Sequence, residues 1–198
     1  EFPNVVLDDF ESYADTAALA ANWKKRYDGA NYDTGFELFE QDGNKSVKFE
    51  FAADKKYLLR YVGESFPELT DEYKYIRFNA VFASEETEVE LWCYWNGGQM
   101  GYQFKPVDIK CSKDGFYYVP ISKWVKKASD VNGFAIGFNY KAGEVAYFDN
   151  IQFTVSKPDT EAPVITATDT VKNYVAAGLK FAAGTNLTQA FDLLRSGI

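Results

Sequence analysis

The chain has 198 residues, a formal net charge of −8 at pH 7 and no histidine. An acidic chain lacks the basic surface that attracts nucleic acids and anionic membranes, so neither is expected as a partner. The absence of histidine removes the commonest general base and the usual zinc ligand. Aromatic residues make up 18% of the chain, and this excess favours β-strands.

Alternation of apolar and polar residues dominates the first 155 positions and predicts β-strands. The predicted strands are residues 46–51, 57–62, 75–82, 88–95, 101–106, 116–121, 133–139 and 144–155. One short helix is predicted at residues 16–23, with Asp15 or Thr16 as its N-cap. Asn96-Gly97-Gly98 predicts a hairpin turn. Many short strands at this spacing predict an all-β fold, an antiparallel β-sandwich of the jelly-roll type.

The composition changes after Val155. Residues 156–163 contain two prolines and no apolar periodicity, so they are predicted to be a linker between residues 1–155 and a further module. Residues 164–198 are too few to build a core, and we expect them to be the truncated start of that module. No apolar run is long enough to span a membrane and no signal peptide is visible. The only methionine, Met100, is internal, so we expect the chain to be an excised piece of a larger protein.

Two cysteines, Cys93 and Cys111, lack the C-x-x-C spacing of metal and redox sites. They could form one disulfide in a secreted protein or remain as two buried thiols. Alternation places Cys93 among core residues, which slightly favours the thiols.

The strand at residues 88–95 is the most informative segment for function. Alternation places Trp92 and Tyr94 beside Glu90 on the face opposite the core. Aromatic rings pack against the apolar faces of sugars, while planar polar side chains hydrogen-bond sugar hydroxyls. The candidate ligand-binding residues on the non-core faces of all strands are Trp92, Tyr94, Tyr118, Tyr102, Arg77, Asn79, Gln103 and Asn139. The same pattern also fits rings that are covered by loops.

Acidic residues lie at both ends of the first domain, where first and last strands often pair. Hard cations such as calcium take carboxylate and carbonyl oxygens as ligands, so these ends are a candidate cation site. Carbonyl groups of the Gly43-Asn44-Lys45 turn would complete it.

Three motifs occur in an order that resembles the calcium-stabilised carbohydrate-binding modules of family 11 and their galactose-binding-like relatives. The motifs are Asp8-Asp9-Phe10-Glu11-Ser12-Tyr13, Lys45-Ser46-Val47-Lys48-Phe49 and Tyr147-Phe148-Asp149-Asn150-Ile151. The resemblance spans residues 4–155. It implies a jelly roll, a concave face that binds a β-glucan or similar chain, and a structural calcium held by Glu11 and Asp149, with Asp9 a third candidate. Residues 159–165 are similar to the entry of bacterial immunoglobulin-like repeats.

No catalytic motif supports enzymatic activity. Glu88 and Glu90 share one strand face, but the segment does not reproduce the E-x-D-x-x-E strand of jelly-roll glucanases. The expected function is non-catalytic binding of a plant or microbial polysaccharide or oligosaccharide, a β-glucan or β-mannan. Such a module would target a covalently linked catalytic or surface module of a bacterial secreted or cell-surface protein to its substrate. A small glycan-active hydrolase or lyase and a structural or adhesive spacer are the alternatives.

Overall fold

The computed structural model describes residues 2–25, 35–51 and 55–158. Contacts divide the chain into two units: Glu1–Cys111 with Phe116–Lys157, which contains both β-sheets, and Ser112–Gly115 with Pro158–Ile198. The predicted module start at residues 164–198, and the predicted linker beyond Pro158, lie outside the described residues. None of the described helices has the length and hydropathy of a membrane-spanning segment.

Strands and a single α-helix make up the described part of the chain. In chain order the elements are β1 (Val5–Asp8), α1 (Thr16–Asn22), β2 (Trp23–Lys25), β3 (Gly35–Gln41), β4 (Asn44–Glu50), β5 (Lys55–Tyr61), β6 (Tyr75–Val81), β7 (Glu88–Trp95), β8 (Gly98–Phe104), β9 (Tyr117–Pro120), β10 (Val131–Tyr140) and β11 (Val145–Thr154). Two short 3₁₀ turns, Ile121–Lys123 and Ala128–Asp130, connect β9 to β10.

These strands form two antiparallel sheets. Sheet 1 has the order β3-β4-β11-β6-β9, with β1 also paired to β11. Sheet 2 has the order β2-β5-β10-β7-β8. The predicted all-β antiparallel sandwich is therefore confirmed.

The sequence located most of these elements but missed three strands. The strand predicted at residues 88–95 is confirmed as β7, and the hairpin at Gly97, whose φ is +86°, is confirmed. The helix begins as predicted, with Asp15 Oδ1 accepting a hydrogen bond of 2.8 Å from the Ala18 backbone N–H. β2 has only three residues, too few to show alternation, and β1 starts on an unbroken apolar run. β3, an edge strand of sheet 1, was also missed.

Phenylalanine rings fill the space between the two sheets. The ring centroids of Phe49 in sheet 1 and Phe138 in sheet 2 are 5.1 Å apart. Phe148 lies 5.5 Å from Phe138 and 4.9 Å from Phe78. All four rings are fully buried. Edge-to-face and stacked pairs at these distances add to the free energy of burying the rings, so this cluster holds the sheets together.

Cys93 and Cys111 do not form a disulfide with each other. Cys93 is buried as expected, and burial raises the pKa of its thiol above the usual value. The expectation that Cys111 is also buried was wrong, because it lies exposed in the loop after β8. Alternation could place Cys93 inside the sandwich, but it has no bearing on a residue outside the strands.

A buried carboxylate at the end of β1 organises the N-terminal segment. Asp8 Oδ2 accepts hydrogen bonds from Trp23 Nε1 at 2.7 Å and from the Tyr13 hydroxyl at 2.5 Å. Its Oδ1 accepts a bond of 2.8 Å from the Phe10 backbone N–H, where φ is +60°. Burial, and then the hydrogen bond to Asp8, raise the pKa of Tyr13. One carboxylate thus connects β1, the following loop and the start of β2.

Asp8→Asn is expected to lower the free energy of unfolding by about 2–3 kcal/mol. The substitution removes a buried charge that accepts three hydrogen bonds, and bonds to charged groups contribute about 1.5–3 kcal/mol each. Urea unfolding followed by tryptophan fluorescence measures the change. Asp108→Asn, at an exposed loop position, is the control and should leave the midpoint unchanged. Equal midpoints for both variants would contradict the role given to Asp8.

Candidate functional site

The outer face of sheet 2 places one residue from each of its five strands in one row. Lys24 pairs with Arg60, Arg60 with Ala135, Ala135 with Trp92, and Trp92 with Gly101. Neighbouring strands lie about 4.8 Å apart, so the Arg60 and Trp92 backbones are separated by roughly 10 Å. The row therefore spans the full width of the sheet.

Trp92 leans across the row toward β8. A Cβ atom on Gly101 would lie 2.7 Å from Trp92 Cε2 and 2.7 Å from Glu90 Oε1. Real Cβ atoms do not approach other atoms so closely, so only glycine lets the indole and the carboxylate occupy this position. The half-buried indole therefore lies against Gly101 on the edge strand β8.

Tyr94 lies on the same face, but its ring is covered. The Arg60 Cζ atom is 4.0 Å from the ring centroid, within the range of a cation–π interaction. A Cβ on Gly133 would lie 3.0 Å from Tyr94 Cβ, so the side chain also packs directly on the β10 backbone. Tyr94 is only 5% exposed, and it supports the arginine rather than offering the open ring face that the stacking prediction requires.

Gln103 and Asn139 complete this face as the sequence predicted. Gln103 is exposed on β8 and pairs with Glu90, and Asn139 is exposed on β10. The Asn139 side-chain amide donates a hydrogen bond of 2.7 Å to Glu88 Oε2. Four predicted residues, Trp92, Tyr94, Gln103 and Asn139, therefore share the outer face of sheet 2.

Tyr102 does not join them. It pairs with core residue Leu91, and its ring centroid lies 5.9 Å from those of Phe104 and Trp124. Tyr102 and Gln103 are consecutive in one strand, so their side chains point to opposite faces and only Gln103 can face outward. The prediction for Tyr102 is corrected: it covers the core.

Arg77, Asn79 and Tyr118 lie on the outer face of sheet 1, on the other side of the sandwich. Arg77 donates to Gln152 Oε1 from Nε at 3.0 Å and from Nη2 at 2.7 Å. Its Nη1 donates to the Tyr118 hydroxyl at 3.2 Å. The sequence pooled all outward residues into one site, whereas each sheet of a sandwich has its own outer face. These three residues are therefore separate from the face that carries Trp92.

The three predicted calcium ligands meet at one corner of sheet 1. The Lys45 backbone N–H donates a hydrogen bond of 2.8 Å to Glu11 Oε1. Asn44 Nδ2 donates one of 3.0 Å to Asp149 Oδ2. Burial, and then the negative charges of Glu11 and Asp9, raise the pKa of Asp149. The first two residues of β4 thus contact both ends of the domain.

A bulge in β11 gives Asp149 its position. The pairing with β6 shifts register between Asp149 and Gln152, and Asn150 has a φ of +49°. Asparagine tolerates this left-handed conformation better than most residues. Asn150 Nδ2 donates to Asn79 Oδ1 at 2.9 Å, so Asn79 supports the bulge and is not available as the predicted sugar contact on the Trp92 face.

The side-chain carboxylates of this corner fit a hard cation only if backbone carbonyl oxygens also bind it. Within residues 2–25, 35–51 and 55–158, no group of three or more Asp, Glu, Cys or His side chains could hold a metal ion. Calcium takes six to eight oxygen ligands, including backbone carbonyls. The corner offers the carboxylates of Glu11 and Asp149, while the carbonyl oxygens of Glu11 and Tyr13 accept hydrogen bonds from Lys45 Nζ at 3.2 and 2.8 Å.

Sequence reasoning missed Arg60 and Gly101. A usable signal was present for Arg60, because an arginine interrupts the aromatic and aliphatic run Tyr57-Leu58-Leu59-Arg60-Tyr61. A signal was also present for Gly101, because the predicted hairpin turn, with Trp95 opposite Gly98, pairs Gly101 with Trp92.

Gly101→Ala is expected to displace the Trp92 indole, because the new methyl group would overlap both the ring and Glu90. Near-ultraviolet circular dichroism should change in the tryptophan region while the far-ultraviolet spectrum is retained. Gly35→Ala, at a strand position with open space around it, is the matched control. An unchanged tryptophan signal in Gly101→Ala would show that the ring does not rest on this glycine.

Comparison with solved structures shows the fold of carbohydrate-binding modules. The family 11 module of the cellulosomal cellulase Lic26A-Cel5E of Clostridium thermocellum matches with a TM-score of 0.54 at 14% identity, covering 79% of this chain and 96% of the module. A family 11 module from the same organism, in complex with a β-1,3-1,4-mixed-linked tetrasaccharide, matches with a TM-score of 0.51 at 14% identity over 76% of this chain and 94% of that one. The predicted resemblance to family 11 is confirmed at the level of the fold.

A further match is to part of a larger structure. An exo-β-agarase matches with a TM-score of 0.50 at 14% identity, covering 79% of this chain but only 25% of the agarase. No protein-family model and no curated protein matches the sequence.

Proposed function

We propose that this chain binds a polysaccharide chain, without catalysis, on the outer face of sheet 2. The observation that carries the proposal is the row in which Trp92 and Arg60 lie in register across the sheet, with exposed Gln103 and Asn139 beside it. An aromatic ring next to planar hydrogen-bonding groups is the combination that sugar recognition needs. The fold is shared with a module that was solved in complex with a mixed-linked tetrasaccharide, and this similarity supports the proposal.

Each residue of this face has a distinct role in the proposal. Trp92 packs against the apolar face of one sugar unit. Gln103 and the Asn139–Glu88 pair hydrogen-bond sugar hydroxyls. Tyr94 acts through Arg60, whose guanidinium it supports. The two family 11 binding modules match this chain over nearly their whole length, and this supports a non-catalytic role.

The proposed ligand is a β-glucan or β-mannan, and the proposed setting is a secreted or cell-surface protein that carries an enzyme. The match to a module of a cellulosomal cellulase, and the match to a quarter of an exo-β-agarase, support this setting. A tethered module raises the effective concentration of the substrate at the attached enzyme.

Trp92→Ala is expected to weaken glycan binding at least tenfold, because the substitution removes the ring that packs on the sugar. Calorimetric titration against β-glucans, glucomannan, galactomannan, xylan and xyloglucan measures the affinity. Tyr118→Phe, on the outer face of sheet 1, is the control and should bind as the wild type does. Absence of binding across the panel by the wild-type chain would overturn the proposal and favour a structural spacer.

We also propose that calcium stabilises the corner formed by Glu11 and Asp149, with Asp9 nearby. A cation there would offset the repulsion that, together with burial, raises the pKa of Asp149. Binding to the folded state alone stabilises it by about 2.7 kcal/mol at a ligand concentration 100 times the dissociation constant.

The wild-type chain is therefore expected to melt at a higher temperature in calcium than in EDTA. Asp149→Asn should lose this difference, and in EDTA it should be at least as stable as the wild type, because a neutral side chain is not repelled by Glu11 and Asp9. Differential scanning calorimetry measures both effects. Asp71→Asn, at an exposed carboxylate bonded to Ser129, is the control and should retain the calcium effect. Equal melting temperatures of the wild type with and without calcium would exclude the site.

A further inference from the structure

Arg60 is a half-buried cation whose charge the described protein does not compensate. It lies on the Tyr94 ring, and its Nε atom is sealed from solvent without a hydrogen-bond partner in the described part of the chain. No described carboxylate lies within ion-pairing distance of its guanidinium. In a chain with a net charge of −8, an unpaired arginine in the middle of a sheet face calls for an explanation.

Arg77 is an arginine whose side-chain contacts stabilise the fold, and it can be compared with Arg60. Its guanidinium also lies on a ring, 4.1 Å from the centroid of Phe116. All three of its side-chain nitrogens, however, donate hydrogen bonds to Gln152 or Tyr118. The two arginines share the same aromatic support, and only Arg77 has its donors bonded within the described protein.

The charge on the outer face of sheet 2 changes sign across the sheet. Lys24 is exposed and pairs directly with Arg60, which places two cations on the β2–β5 side. Glu88 and Glu90 lie on β7, beyond the uncharged positions of β10. A ligand with an anionic group would be attracted to the first side and repelled from the second, so it could bind in one orientation only.

We propose that Arg60, assisted by Lys24, binds the carboxylate of a uronic acid unit in the glycan that this face takes. The inference rests on the proposed function and extends its ligand from a neutral β-glucan or β-mannan to a glycan that also carries a uronic acid unit. Because Nε is sealed from solvent, the two terminal nitrogens of the Arg60 guanidinium are the planar donors that match a carboxylate, and the ring beneath limits the motion of the arginine. Trp92 leans away from Arg60 toward β8, so the uronate and the stacked sugar are different units of one chain.

The test titrates the whole chain with matched acidic and neutral ligands. Oligogalacturonate is compared with its methyl ester, and glucuronoxylan oligosaccharides with unsubstituted xylo-oligosaccharides. The wild type is expected to bind the acidic member of at least one pair tenfold or more tightly than the neutral member. The preference should fall as salt is added, because added ions screen the attraction.

Arg60→Gln should remove this preference, so that the variant binds the acidic and the neutral ligand with equal affinity, and Arg60→Lys should retain part of the preference. Arg77→Gln is the matched control, since it removes an arginine that also lies on a ring, and it should keep the preference. Melting curves establish that each variant is folded. A sulfated galactan bound as tightly as the uronates would overturn the assignment to a carboxylate.

The possible failures are distinguishable. If neutral glycans bind through Trp92 and acidic glycans bind no more tightly, the role of Arg60 is wrong and the proposed function stands. The same conclusion follows if Arg60→Gln keeps the preference for the acidic ligand. If no ligand of the panel binds the wild type, both proposals fall together.

Discussion

Phenylalanine rings from the two sheets pack against each other and hold the sandwich together. Phe49 and Phe148 from sheet 1 meet Phe138 from sheet 2, and all are fully buried. Once these rings are inside, the side-chain period of two sets the direction of the neighbouring residues in their strands, up to the bulge in β11. The outward position of Asn139 follows from the inward position of Phe138, and the same rule places Trp92 outside.

The two outer faces then differ in what their arginines do. On sheet 1, Arg77 is bonded to Gln152 and Tyr118, and nearby polar groups support the bulge at Asn150. On sheet 2, Arg60 rests on Tyr94 and keeps its donors unbonded within the described chain. A polar group that is satisfied inside the protein stabilises the fold, whereas an unsatisfied one gains more from a ligand. This difference identifies sheet 2 as the better candidate for binding.

Prediction from the sequence succeeded where alternation within one strand was sufficient. The faces of β7 were assigned correctly, and Gln103 and Asn139 were placed outward. It failed where the answer depended on the partner of a strand. Tyr118 has an outward side chain, as expected, but it belongs to the wrong sheet. Tyr94 also points outward, yet a neighbouring strand supplies the arginine that covers its ring.

The all-β class, the position of most strands and the pairing of the two domain ends could be predicted from the sequence, because they depend on local periodicity and on motif order. Which outward residues share a face could not be predicted, because it depends on strand order. Strand order places β5 and β7 on either side of β10, although they are distant in the chain, and thereby brings Arg60 to Tyr94. Pairing of distant strands is a property of the whole fold, since no single strand carries information about its neighbours.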